Sequence, residues 1–63
     1  MSVIAEKITA ARSAKKWTRY RLAKESGLEI GHISGIEDGK FAPRVDTLEK
    51  ICKALGIVIE IGV

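Results

Sequence analysis

The sequence predicts an all-α domain of four short helices, followed by one β-strand at its C-terminal end. Apolar residues recur at helical spacing in four segments, and a glycine suited to a helix end follows three of them. The last seven residues, "IVIEIGV", instead alternate in the manner of a strand with one apolar face. With 63 residues, we expect a single domain over residues 1–63, close to the lower size limit for a chain that folds alone.

The first two helices are predicted over residues 3–15 and 19–26. Thr18 is suited to cap the second helix, because its side-chain oxygen can accept a hydrogen bond from an unpaired backbone N–H. Trp17, just before this cap, is placed to pack on the first turn of the same helix. Gly27 favours the left-handed conformation that commonly ends a helix.

The other two helices are predicted on either side of a loop. The third runs over residues 30–38 and is closed by Gly39. Asp46 and Glu49 have the spacing of a capping box, which predicts that the fourth helix opens at Asp46, and Gly56 is expected to end it. Two short helices that meet across a glycine turn fit a helix-turn-helix.

The strand predicted over residues 57–63 has no second strand in the chain to pair with. The simplest partner is the same strand of a second copy, which would form a two-stranded antiparallel ribbon in a homodimer. A tail that packs on the helices is the alternative. The residues expected at the dimer interface are Ile57, Val58, Ile59, Glu60, Ile61 and Val63.

Charge is unevenly distributed along the chain, whose formal net charge is +3. One block without acidic residues contains Arg12, Lys15, Lys16, Arg19, Arg21 and Lys24. Such a block suits a polyanion, nucleic acid before membrane, although a solvated helix face would look the same.

The chain has one cysteine and one histidine, so neither an internal disulfide nor a structural zinc site is expected. We expect no metal, no cofactor and no catalytic activity, because no paired carboxylates or phosphate-binding loop are present. No membrane span or signal peptide is recognisable, and the single thiol favours a cytoplasmic location.

The segments "LAKESG", "HISGIEDGK" and "TLEKICKALG" together resemble the Xre/Cro family, the lambda-repressor-like helix-turn-helix proteins. The resemblance covers roughly residues 4–56. It implies that residues 18–37 form the DNA-binding motif and that the helix from Ile30 lies in the major groove. It also implies that Glu37 pairs with Arg12 in a structural role. Some antitoxin-type repressors of this family dimerise through a C-terminal strand.

Motif position and a helical wheel together select the candidate DNA contacts. Those expected at the phosphates are Thr18, Arg19, Tyr20, Arg21, Lys40 and Arg44. Those expected at the base edges or in the groove are Glu29, Ile30, Gly31, His32, Ser34 and Gly35. Glu29 has a second interpretation, because a carboxylate is stabilised at a helix N-terminus.

Four positions depart from what is usual in the family. Arg19 stands where a glutamine is common, and Glu29, Ile30 and Gly31 stand where small polar residues are common. Each glycine inside a helix costs about 1 kcal/mol relative to alanine. Because the wheel places Gly31 and Gly35 opposite the anchoring isoleucines, our hypothesis is that both clear the outer face so that the helix backbone approaches the bases.

These observations predict a homodimeric, sequence-specific transcriptional repressor that binds a palindromic operator on double-stranded DNA. An antitoxin-type autoregulator is one subclass, with a toxin or another regulatory protein as a candidate partner. The alternative is a protein-interaction module of the same fold that has weak or lost DNA binding. Glu29 and the two glycines favour that alternative, whereas the basic block opposes it.

Overall fold

The structure, a computed structural model, describes residues 3–58, and within these residues it contains four α-helices. Their bounds are α1 Val3–Ala14, α2 Arg19–Ser26, α3 Ile30–Glu37 and α4 Val45–Leu55. The predicted all-α helix-turn-helix bundle is confirmed. The predicted strand at 57–63 lies almost wholly outside the described residues, which include only Ile57 and Val58 of it.

Aliphatic side chains from all four helices form one core. The large apolar residues with less than 2% of their surface exposed are all isoleucine or leucine in the described part of the chain, and full burial of each contributes about 1.5–3 kcal/mol. The core cluster consists of Ile8, Leu22, Ala23, Ile33, Ile36, Leu48, Ile51 and Leu55. Because α2 packs on both α3 and α4, and α1 packs on the same two helices, α3 is held from two sides.

The ends of α2 and α4 follow the local sequence signals. The Thr18 side chain accepts a hydrogen bond from the backbone N–H of Arg21 at 3.0 Å. Gly27 and Gly56 both adopt the left-handed conformation, with φ angles of 76° and 70°. Residues with a Cβ atom seldom adopt such angles, so glycine allows each helix to end abruptly.

The predicted start of α4 at Asp46 is wrong. The helix begins at Val45, its N-cap is Arg44, and the Arg44 side chain makes no capping hydrogen bond. The carbonyl of Arg44 accepts the first helical hydrogen bond, from the N–H of Leu48 at 2.8 Å. Asp46 therefore lies within the first turn, where a carboxylate is stabilised by the helix dipole without acting as the cap.

Candidate nucleic-acid interface

The turn between α2 and α3 fixes how α3 is presented to the surface. After the left-handed Gly27, the backbone N–H of Leu28 donates to the carbonyl of Ala23 at 3.0 Å, and the Leu28 side chain packs against the core. Glu29 is extended and forms the N-cap position of α3. Ile33 anchors the helix from below, with no exposed surface. One side of α3 is therefore locked to the core.

The start of α3 carries the residues predicted to face a DNA groove. Glu29, Ile30 and Gly31 are exposed, while His32 and Ser34 are half-buried. The Glu29 side chain makes no capping hydrogen bond. A Cβ atom at Gly31 would meet no atom within 4 Å, so the helix surface is open there. The structure thus places these five residues at the N-cap and in the first turns of one short helix.

Gly35 differs from Gly31, and the prediction that both glycines leave the outer face bare is wrong. Gly35 is buried, and a Cβ atom there would overlap the ring of Phe41. The helical wheel missed this contact because it considers only the residues of the helix itself. Phe41 belongs to the connection between α3 and α4, and this connection folds back over the helix.

The carboxylate of Glu37 joins three helices. Arg12 donates from Nε to its Oε2 at 2.8 Å and from Nη2 to its Oε1 at 2.9 Å. Thr9 donates its hydroxyl to the same Oε1 at 3.2 Å. Arg12 also donates from Nη1 to the Trp17 carbonyl at 2.7 Å, which ties the end of α1 to the turn before α2. The structure thus brings Arg12 and Glu37 into direct contact.

Arg19, a candidate phosphate contact, is held by two carboxylates. Its Nε donates to Glu37 at 3.2 Å and its Nη2 donates to Asp38 at 2.9 Å. The hydrogen bond from Arg19 lowers the pKa of Asp38, and the same bond raises the pKa of Arg19. The Arg19 side chain stays 35% exposed, so it is only partly covered by these contacts.

Arg21 is also engaged within the molecule. Its Nε donates to Glu25 at 2.8 Å, and its guanidinium carbon lies 4.8 Å from the centre of the Trp17 ring. The ammonium of Lys15 lies 5.1 Å from the same ring. Much of the basic block predicted to attract a polyanion is therefore paired internally. Four other candidate phosphate contacts are exposed, namely Thr18, Tyr20, Lys40 and Arg44.

Three contacts around α3 were not predicted from the sequence. Asp38 holds Arg19, Thr9 supports Glu37, and Phe41 covers Gly35. The first contact joins residues that are 19 positions apart in the sequence, and the second joins residues that are 28 positions apart. Patterns within a single helix cannot predict contacts over such separations. The third had a weak signal, namely a phenylalanine within a polar loop that follows a glycine-containing helix.

Two further features bear on the class of site. Among residues 3–58 there is no group of three or more His, Cys, Asp or Glu side chains that could hold a metal ion. The helices described here are also too short and too polar for any of them to cross a membrane.

Comparisons with known proteins identify the class to which this site belongs. Residues 8–60 match the family model described as Helix-turn-helix. The chain is 32% identical over 56 residues to the immunity repressor protein of Bacillus phage phi105, covering 89% of this chain and 39% of that protein. It is 38% identical over 56 residues to an uncharacterized HTH-type transcriptional regulator, y4dL, of Sinorhizobium fredii (strain NBRC 101917 / NGR234), covering 89% of this chain and 29% of that protein.

The chain belongs to the helix-turn-helix family. It spans between a quarter and two-fifths of the length of these two curated relatives. No solved structure matches it at a significant level.

Proposed function

We propose that this protein is a sequence-specific DNA-binding transcriptional regulator, and that it acts as a repressor. The observation that carries the proposal is the presentation of α3. Its inner side is anchored by Ile33 and Ile36, while residues 29–31 at its N-terminal end are exposed. A helix held in this way by a helix-turn-helix is the element that enters the major groove. The family membership and the names of both relatives support the same function.

Contacts to bases and contacts to phosphates have separate roles in this proposal. Glu29, Ile30, His32 and Ser34 read base edges, and the exposed Gly31 lets the helix backbone approach them. The phosphate contacts fix the register and supply most of the affinity. They come from Thr18, Arg19, Tyr20, Arg21, Lys40 and Arg44.

Arg19 reaches DNA by changing partners. In the free protein its guanidinium is shared between Glu37 and Asp38. The pair with Asp38 is partly exposed on both sides, and exposed ion pairs contribute little to stability because solvent screens them. A phosphate can therefore replace Asp38 at small cost. The Glu37 side chain has no exposed surface and keeps its pair with Arg12, so its role is structural.

Assembly completes the proposed site. A symmetric dimer presents two α3 helices to the half-sites of a palindromic operator, about one helical turn apart. Ile57 packs against the helical core, so the dimer contact is assigned to the C-terminal residues 58–63, in keeping with their alternating sequence. We place the protein in the cytoplasm, associated with the nucleoid. A toxin or another regulatory protein is the partner that we propose controls the repressor.

A gel-shift titration tests this function. The protein is mixed at several salt concentrations with duplex DNA from upstream of its own coding sequence. We expect a shifted complex that weakens steeply as salt rises, because bound phosphates release counterions. Arg19→Ala should weaken binding to all sequences alike. Lys53→Ala removes an equal charge from the last turn of α4, a helix that contains none of the proposed DNA contacts, and should leave binding nearly unchanged.

The alternative function, a protein-interaction module, is favoured by one specific observation. Arg12, Arg19 and Arg21 all pair with carboxylates inside the molecule, which reduces the charge available to DNA. If the protein shifts neither its own upstream duplex nor an unrelated duplex at low salt, the result would support the interaction module and contradict the proposed regulator.

A further inference from the structure

The ring of Phe41 takes the place of a side chain on the outer side of α3. A Cβ atom built at Gly35 would overlap the Cε1 atom of this ring, so the ring fills the space that any side chain at position 35 would need. The His32 ring lies beside it, with the ring centroids 5.5 Å apart and the planes tilted by 47°. Gly35 thus accommodates an aromatic ring that the following loop supplies.

This ring is partly open to solvent on the side of α3 that faces away from the core. Phe41 is 46% exposed, and Ile30 at the start of the helix is 44% exposed. Lys40 precedes the ring in the chain and is exposed as well. The major groove offers partners for both kinds of group, because thymine methyl groups are its apolar feature and phosphates line its edges.

We propose that Phe41 determines sequence specificity by packing its ring against the C5-methyl group of a thymine in each half-site. Gly35 is required because a side chain there would displace the ring. This inference rests on the proposed DNA-binding function, and it assigns part of the base recognition to a residue outside α3.

Replacing single thymines tests the proposal. A tightly bound duplex is first selected from random DNA with the wild-type protein. Each thymine of one half-site is then replaced singly by deoxyuridine, which lacks only the C5-methyl group. At one position we expect wild-type affinity to fall about fourfold, the effect of one buried methyl group. Phe41→Ala should bind the thymine and deoxyuridine duplexes equally well at that position.

Two glycine variants serve as matched tests of the ring position. Gly35→Ala keeps the ring but displaces it, so it should also lose the preference for the methyl group. Gly31→Ala adds a methyl group in open space on the same helix; it should weaken binding to the thymine and deoxyuridine duplexes by the same factor and so keep the ratio between them. Circular dichroism verifies that each variant is folded. If Phe41→Ala does not fold, loss of the methyl preference in Gly35→Ala supports the role of the ring, and retention of that preference contradicts it.

The outcomes separate the two proposals. If the wild type binds DNA in a salt-dependent way but responds to no methyl group, the role of Phe41 is refuted and the regulator stands. The same holds if Phe41→Ala retains the full penalty at the same thymine, in which case the ring only closes the loop. If the wild type binds no duplex at any salt concentration, both proposals fail.

Discussion

The Glu37 carboxylate shows what one residue contributes to this fold. Its side chain has no exposed surface, and it accepts hydrogen bonds from Thr9, Arg12 and Arg19 on two other helices. A buried carboxylate is tolerated only when its charge is matched and its oxygens are bonded. The position of α3 relative to α1 therefore depends on this group, as does every residue that α3 presents.

Removing Arg12 should destabilise the protein strongly. Arg12→Met leaves the Glu37 charge buried with only Arg19 and Thr9 as partners, and we expect a loss of about 3 kcal/mol. Urea denaturation followed by far-UV circular dichroism measures this change. Arg21→Met is the control, because its pair with Glu25 is exposed and its loss should cost about 1 kcal/mol or less. Equal stability losses in the two variants would contradict the structural role of Glu37.

Asp38 should act against DNA binding. Its carboxylate accepts a hydrogen bond from Arg19, a contact that a phosphate must replace. Asp38→Asn removes the competing charge, so affinity for all DNA sequences should rise and the salt dependence should become steeper. Fluorescence anisotropy with labelled duplexes measures both quantities. Glu49→Gln, a similar charge change on α4, is the control, and an equal gain in that variant would mean that net charge alone is responsible.

At the scale of the helices, the sequence predicted the helix ends that depend on neighbouring residues. It did not predict contacts made by residues distant in the chain. Thr18 and the glycines after α2 and α4 marked helix ends because capping depends on neighbouring backbone. The start of α4 was misplaced because a spacing of Asp and Glu does not ensure a capping bond. The Phe41 ring over Gly35 was not predictable from helical periodicity, since it comes from outside the helix.

The two glycines of α3 should respond differently to alanine. Gly31→Ala should stabilise the protein by about 0.5–1 kcal/mol, because the site is open and alanine is the better helix former. Gly35→Ala should gain less or lose stability, because the added methyl group must displace the Phe41 ring. Chemical denaturation of both variants measures the difference.

A double-mutant cycle with Phe41→Ala isolates the cause. Once the ring is removed, Gly35→Ala should become as stabilising as Gly31→Ala. If Gly35→Ala destabilises the protein equally with and without the ring, the buried glycine is required for another reason.

At the scale of the whole molecule, the proposed dimer would add contacts to a small core. Domains of about 60 residues bury only about 60% of their unfolded surface. Ile57 packs against that core, and its backbone N–H donates to the Cys52 carbonyl at 3.0 Å, so it belongs to the helical domain. The proposed dimer contact is therefore best tested beyond this residue.

Truncation after Val58 should give a monomer. Removing residues 59–63 deletes most of the alternating segment and leaves the packing of Ile57 in place. Light scattering coupled to size-exclusion chromatography should show a dimer for the full chain and a monomer for the shortened one. Ile61→Ser is a gentler variant with the same expectation, since it interrupts the predicted apolar face without shortening the chain. A stable dimer of both variants would contradict the strand-mediated assembly.

Binding of α3 in a DNA groove is the central claim, and the salt dependence of equilibrium binding tests it most directly. Fluorescence anisotropy would measure the affinity of the wild type for a duplex selected from random DNA, over about 50–200 mM salt. We predict that the logarithm of the association constant falls linearly with the logarithm of salt concentration, and that Arg19→Ala flattens the slope by about one for each subunit bound. Binding that is absent, or that does not change with salt, would contradict the account.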